Sequence, residues 1–177
     1  MEQLYSQQAI ARQTARIGAQ ISRDYTGQHL VLVVVLKGAM FFAADLARAI
    51  SSDVEISIDF VRVSSYANAT QSSGTVTFKT RLETDISGKH VMLVEDILDT
   101  GLTMRELHNY LEKQQPASLK LCTMFDKPCN RAVEITPDYC GFTLTGNDFI
   151  IGYGLDYAER YRNLNAVYRL DPEQLQH

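Results

Sequence analysis

Apolar residues recur along this chain with a spacing that changes between that of a helix and that of a strand. Over Ile10–Tyr25 they fall at helical spacing, which predicts an amphipathic helix ending at Thr26-Gly27. Leu30–Leu36 is a short, continuous and valine-rich run, typical of a strand buried on both faces. Lys37-Gly38 interrupts this run, and the apolar segment Ala39–Ile50 predicts a second helix. The chain therefore opens with a helix and a strand–turn–helix unit.

The middle of the chain repeats this alternation of strand and helix. Val54–Phe60 alternates between apolar and polar residues, as a strand with one exposed face does. His90–Glu95 and Leu119–Phe125 are apolar runs that predict buried strands, and a helix is predicted between them over Thr103–Lys113. Strands that alternate with helices are typical of the α/β class, so we expect a doubly wound parallel sheet.

Other segments carry weaker patterns. Ser64–Gly74 is polar and without periodicity, which predicts a loop of about ten residues, longer than most connections. A short returning strand is expected after it. Tyr139–Leu144, Phe149–Tyr153 and Ala166–Leu170 predict short strands with little helix between them. No linker or internal repeat interrupts residues 1–177, so we expect a single domain.

Composition and charge exclude several classes of protein. Hydrophobic residues make up 45% and charged residues 21% of the 177 positions, as in ordinary globular proteins. The net charge of -4 argues against binding to nucleic acid or to an anionic membrane, because both need a basic surface. The 3 cysteines and 4 histidines lack the spacing of a zinc site. Without a visible secretory signal or an apolar run of membrane length, we expect a cytoplasmic protein.

The most informative segment follows the apolar run that begins at His90. It continues into Glu95 and Asp96, then into Asp99–Gly101 and Thr103, where the predicted helix begins. Carboxylates accept hydrogen bonds from the hydroxyls of a ribose, and the N–H groups at a helix N-terminus bind phosphate. The segment therefore favours a sugar-phosphate site. The simpler interpretation is an ordinary capped loop, in which the acids complement the helix dipole.

The whole pattern resembles the phosphoribosyl diphosphate signature of the type I phosphoribosyltransferases. Other segments resemble the hypoxanthine-guanine phosphoribosyltransferase family. Leu36-Lys37-Gly38 is similar to the family's pyrophosphate loop, which carries a non-proline cis peptide at the position of Leu36–Lys37. Ser65-Tyr66 is similar to the start of the loop that closes over the family's active site. Leu102 is a departure, since some relatives place a lysine there.

Residues in the second half of the chain resemble those with which the family binds the base and pyrophosphate. Lys127 matches the purine-reading lysine, which suits the acceptor O6 of hypoxanthine and guanine. Phe149 would stack on the purine ring, and the backbone of Ile150 would pair with the edge of the base. Arg162 matches a pyrophosphate-contacting arginine, and Arg131 is a weaker candidate of the same kind.

The resemblance implies a type I phosphoribosyltransferase fold, with a small hood of N- and C-terminal segments over the active site. It implies transfer of the phosphoribosyl group from 5-phosphoribosyl 1-diphosphate to N9 of hypoxanthine or guanine, with release of pyrophosphate. Asp99 would be the catalytic base for the N7 proton of the purine, and Mg²⁺ would be held by Glu95, Asp96 and Asp156. A homo-oligomer, dimer or tetramer, is expected by the same resemblance.

The resemblance thus predicts an extended set of substrate-binding residues, which includes the whole acidic segment. The alternatives are the same chemistry with xanthine, or a regulator that senses phosphoribosyl diphosphate without catalysis. The choice between hypoxanthine and guanine stays open. The predicted substrate-binding residues are Leu36, Lys37, Gly38, Ser65, Tyr66, Glu95, Asp96, Ile97, Leu98, Asp99, Thr100, Gly101, Leu102, Thr103, Lys127, Arg131, Phe149, Ile150, Asp156 and Arg162.

Overall fold

The structure is a computed structural model that describes residues 1–64, 77–80 and 82–170. Within these ranges strands and helices alternate over the central part of the chain, as predicted. A short 3₁₀ helix, Pro128–Asn130, follows the sixth strand. The elements are β1 (Glu2–Tyr5), α1 (Gln7–Asp24), β2 (His29–Leu36), α2 (Met40–Ala49), β3 (Glu55–Ser64), β4 (Thr77–Thr80), β5 (His90–Leu98), α3 (Leu102–Glu112), β6 (Ser118–Asp126), β7 (Tyr139–Thr143), β8 (Ile150–Ile151) and β9 (Val167–Arg169).

The main sheet has the strand order β4-β3-β2-β5-β6-β7. Neighbouring strands from β3 to β7 in this order are parallel, and β4 pairs with β3 in the antiparallel direction. In register, Leu30 of β2 lies between Ile56 of β3 and His90 of β5. All parallel strands therefore end at one edge of the sheet, which is where α/β proteins bind their ligands.

Helices cover both faces of this sheet. On one face Ile17 of α1 and Phe42 of α2 pack with Leu32 in one buried cluster. On the other face Leu107 of α3 packs with Val33 in a second cluster. Successive residues of β2 thus enter different cores, which is why this strand is apolar at every position. The predicted doubly wound α/β fold is confirmed.

A second, smaller sheet joins the two ends of the described chain. Its strand order is β1-β9-β8, with antiparallel pairing throughout. Glu2 lies opposite Arg169, which in turn pairs with Ile150. This sheet is the hood of N- and C-terminal segments that the resemblance implies. None of the helices in the described ranges is long and apolar enough to cross a membrane.

Several element boundaries differ from the sequence prediction, and β3 for example continues to Ser64 instead of ending at Phe60. The strand predicted over His90–Glu95 continues as β5 to Leu98, because Ile97 and Leu98 keep their pairing with β6. The predicted strand Phe149–Tyr153 is limited to β8, because the φ angles are positive at Gly152, Tyr153 and Gly154. The residues of the predicted loop from 65 to 74 lie outside the described ranges.

The packing of α1 against α2 depends on Gly18. A Cβ atom at this position would lie 2.6 Å from the carbonyl oxygen of Ala49, at the end of α2. Because the added methyl group would meet the backbone of α2 and not the end of a flexible side chain, α1 and α2 would have to move apart to make room for it.

We expect Gly18→Ala to lower the free energy of unfolding by about 1–3 kcal/mol, since overpacking outweighs the gain in helix propensity. Urea denaturation measures this difference. Gly146→Ala is the matched control, because the nearest atom to its added Cβ would lie at an ordinary 3.4 Å. Unchanged or increased stability of Gly18→Ala would show that the packing of α1 against α2 does not depend on Gly18.

Candidate active site

Two neighbouring cavities lie at the carboxyl edge of the main sheet. The α3 cavity, of about 260 Å³, is lined by the end of β5 and by Thr100, Gly101 and Thr103 at the start of α3. The Phe149 cavity, of about 230 Å³, is lined by Phe149, by Ile150 of β8 and by Lys127, which directly follows β6. Asp96, Ile97 and Asp99 line both cavities, so ligands in the two would meet at this segment.

The α3 cavity ends on the N-terminus of a helix. Gly101 precedes the first turn of α3 with a φ angle of 80°, a conformation that glycine adopts without strain. The backbone then enters α3 with its first N–H groups unpaired within the helix, and these groups attract an anion. Thr100 and Thr103, which each carry a hydroxyl group, line the same cavity. This end of the cavity therefore fits a phosphate group.

Two buried carboxyl groups lie on the wall of the α3 cavity. Glu95 and Asp96 are each 9% exposed. Oε1 of Glu95 accepts a hydrogen bond from the Asp96 N–H, and Oδ1 of Asp96 accepts one from the Ile97 N–H. Burial, and then the charge of neighbouring Asp96, raise the pKa of Glu95 well above its usual value. The pair would therefore be stabilised by hydroxyl donors or by a cation.

Asp99 carries an unused acceptor between the two cavities. Its Oδ1 atom is buried and has no hydrogen-bond partner within the described residues. Buried polar atoms are nearly always paired, so an unpaired carboxylate oxygen in a cavity wall indicates a place for a donor from a ligand.

The Phe149 cavity combines a flat aromatic wall with a buried cation. Phe149 is 42% exposed and lies edge-on to Tyr157, with 5.8 Å between ring centroids. Lys127 is 6% exposed, and its Nζ donates to the carbonyl oxygen of Asp148 at 3.0 Å. Buried Ile150 lies alongside. Such a cavity fits a planar ring that presents an acceptor to the ammonium group.

The turn after β2 connects the two cavities with the C-terminal part of the chain. The Leu36–Lys37 peptide bond is cis, as the resemblance implies. A Cβ atom at Gly38 would overlap the Asp96 carboxylate, and one at Gly154 would overlap the Gly38 carbonyl oxygen. Gly154 also has a φ angle of 101°. Glycine at both positions therefore permits the close approach of three segments.

Two predicted pyrophosphate contacts, Lys37 and Arg162, lie beside this turn. Nζ of Lys37 is 2.8 Å from Oε2 of Glu159. Arg162 donates through Nη1 to the Gly154 carbonyl oxygen at 2.8 Å and pairs through Nη2 with Asp156, also at 2.8 Å. Lys37 and Arg162 are thus both balanced by carboxylates of the chain itself.

Arg131 lies apart from the other predicted contacts. Its guanidinium group pairs with Asp126 and also donates to the carbonyl oxygens of Leu98 and Ile135. These contacts join the ends of β5 and β6, so Arg131 supports the sheet edge from within the protein. Leu102 is 48% exposed at the start of α3. Ser65 and Tyr66 lie outside the described residues.

Three further residues of the site had no individual signal in the sequence. The Asp148 carbonyl oxygen orients Lys127, Leu155 lines the Phe149 cavity, and Gly154 receives the turn after β2. Each acts through a backbone group or through nonspecific apolar packing, and neither requires a particular side chain. Asp148 and Leu155 are next to the predicted residues Phe149 and Asp156, so the sequence could have indicated that they lie near the site. It could not have indicated what each of them does there.

The site can supply oxygen ligands to a hard cation. Glu95, Asp96 and Asp156 line the two cavities, and Asp99 adds its unpaired oxygen. Among the described residues, no three acidic, histidine or cysteine side chains form a cluster that could enclose a metal ion. Mg²⁺ usually takes one or two carboxylates together with waters and substrate phosphates, so this donor set fits it.

Comparison with known proteins shows the family to which the chain belongs. A model of the phosphoribosyl transferase domain matches residues 1–158. A hypoxanthine-guanine phosphoribosyltransferase of Streptococcus pneumoniae is 45% identical, over 93% of this chain and 89% of its own. The crystal structure of such an enzyme from Bacillus anthracis has a TM-score of 0.91 at 40% identity, covering 97% of this chain and 99% of that one. A hypoxanthine phosphoribosyltransferase structure from Staphylococcus aureus has a TM-score of 0.94 at 39% identity, covering 99% and 94%. The chain therefore belongs to the phosphoribosyl transferase domain family.

Proposed function

We propose that the protein transfers the phosphoribosyl group of 5-phosphoribosyl 1-diphosphate to N9 of hypoxanthine or guanine, releasing pyrophosphate. The observation that carries this proposal is the buried Asp99 oxygen, unpaired among the described residues, in the wall that two cavities share. A two-substrate transfer needs its reactants in adjacent sites. The α3 cavity suits a sugar phosphate and the Phe149 cavity suits a purine. The names of the relatives support this choice of substrates.

The α3 cavity would hold the phosphoribosyl donor. The N–H groups and hydroxyls from Thr100 to Thr103 would bind its 5-phosphate. Glu95 and Asp96 would accept hydrogen bonds from the ribose hydroxyls. The diphosphate would extend toward Lys37 and Arg162, whose charges would stabilise it as the anomeric C–O bond breaks and its electron pair leaves with pyrophosphate.

The Phe149 cavity would hold the base. Phe149 would stack on the ring, the Ile150 backbone would pair with its edge, and Lys127 would donate to O6. Adenine presents an amino donor at this position, so its amino group would face an ammonium group without an acceptor. This arrangement would favour 6-oxopurines over adenine. Hypoxanthine, guanine and xanthine all satisfy the contact with Lys127.

Asp99 would remove the N7 proton as N9 forms its bond to the anomeric carbon. The proton would pass to the carboxylate oxygen that has no hydrogen-bond partner among the described residues. The base would thus gain no net positive charge as its bond to the sugar forms.

Mg²⁺ is the expected cofactor, held by Glu95, Asp96 and Asp156 together with the diphosphate. When bound, it would supply positive charge that neutralises the leaving pyrophosphate. The carboxylates of this chain would orient the sugar and fix the place of the diphosphate. A homo-oligomer, either dimer or tetramer, and a cytoplasmic location stay predictions.

A substrate panel tests the proposed function. With Mg²⁺ and phosphoribosyl diphosphate, we expect nucleotide formation from hypoxanthine or guanine and turnover of adenine at least 100-fold lower (about 3 kcal/mol), the effect of an unpaired buried polar group. Chromatography of the nucleotides measures this. Equal turnover of adenine would contradict the role of Lys127. No turnover with any base, including xanthine, would favour the non-catalytic sensor.

Asp99→Asn should lower turnover by about 10²–10⁴-fold, because the amide cannot accept the N7 proton. The KM values should change much less, since the amide keeps the shape of the carboxylate. Steady-state kinetics with hypoxanthine measures both. Asp53→Asn is the control, since Asp53 is exposed in the loop before β3, at the opposite edge of the sheet. If Asp99→Asn retained turnover within about threefold of wild type, Asp99 would not be the general base.

A further inference from the structure

One glutamate, Glu159, contacts both of the cations that would bind pyrophosphate. Its Oε2 atom lies 2.8 Å from Nζ of Lys37 and 3.5 Å from Nη2 of Arg162. The Lys37 and Glu159 side chains are 46% and 64% exposed, so the pair is open to solvent and to an incoming ligand. The same oxygen therefore occupies the space between two groups that an anion would need.

The turn that carries Glu159 is built to present this carboxylate. Ala158 and Glu159 have φ angles of 51° and 64°, in the left-handed region that residues other than glycine seldom adopt. The Glu159 N–H donates to Oδ2 of Asp156 at 2.9 Å, and Tyr157 and Arg160 exchange backbone hydrogen bonds across the turn. A strained conformation persists where surrounding contacts fix it, so the position of Glu159 is specified by the turn.

Charges within this group cancel. Lys37 and Arg162 contribute two positive charges, and Glu159 and Asp156 contribute two negative ones, so the net charge of the four side chains is zero. The hydrogen bond from Lys37 lowers the pKa of Glu159, which keeps the carboxylate ionised at neutral pH. A diphosphate would therefore approach a group that is already neutral, although its binding requires positive charge.

We propose that Glu159 is an internal counter-ion that competes with pyrophosphate for Lys37 and Arg162. Displacement of its carboxylate accompanies binding of the diphosphate, and its return accompanies release of the product. Glu159 thereby weakens the binding of both phosphoribosyl diphosphate and pyrophosphate. The inference rests on the proposed function, because that function assigns Lys37 and Arg162 to the diphosphate.

Glu159→Gln tests the inference by removing the competing charge while keeping the size of the side chain. We expect the Kd for inorganic pyrophosphate with Mg²⁺, measured by calorimetry, to fall about two- to fivefold, the range for releasing exposed ion pairs. The KM for phosphoribosyl diphosphate should fall in the same proportion. The difference from wild type should shrink as salt is added, because ions screen the competing pair.

Glu112→Gln is the matched control, since its side chain is 65% exposed at the far end of α3. It removes the same charge and should leave the Kd for pyrophosphate unchanged. Weaker binding by Glu159→Gln would show that Glu159 positions the cations instead. Unchanged binding would show that Glu159 does not compete with pyrophosphate. Either result would overturn the proposal. Equal tightening by Glu112→Gln would assign the effect to net charge and also overturn it. If wild type bound no pyrophosphate, the proposed function itself would fail.

Discussion

Gly38 lies between the Asp96 carboxylate and the backbone of Gly154, and the arrangement of the site depends on this close packing. A side chain at either glycine would overlap its neighbour. The contact brings the end of β2, the end of β5 and the turn after β8 to one place. Those segments supply the cation Lys37, the acids and the wall of the Phe149 cavity. Without that approach the turn that carries Lys37 would not lie against the Asp96 carboxylate.

Charge in this site is local, which explains how an acidic chain can serve a highly anionic substrate. The protein has a net charge of -4, yet Lys37, Lys127 and Arg162 lie beside the cavities. Lys37 and Arg162 are paired with carboxylates, whereas the ammonium group of Lys127 donates to the neutral carbonyl oxygen of Asp148. Helix and backbone N–H groups add positive potential without adding charged residues. Net charge therefore limits polymeric partners and says little about a small ligand.

The fold and the acidic segment after β5 could be predicted from the sequence for physical reasons, whereas Lys127, Phe149 and Arg162 were predicted from the family resemblance. Parallel strands buried on both faces are continuous apolar runs, so Leu30–Leu36 was recognisable, and residues that follow such runs meet at one sheet edge. Contacts between distant segments were not accessible in this way. Lys37 contacts Glu159, which is 122 positions away in the sequence, and Arg131 forms an ion pair with Asp126. The end of β5 likewise depends on pairing with β6, which local spacing does not encode.

The reverse reaction is the most direct test of the account, because it requires nucleotide and pyrophosphate to occupy the two cavities together. The protein would be incubated with IMP, Mg²⁺ and inorganic pyrophosphate, and free bases would be measured by chromatography. We expect hypoxanthine to be released only when pyrophosphate is present, with an equal amount of phosphoribosyl diphosphate formed. Absence of release, or release that does not depend on pyrophosphate, would contradict the central claim.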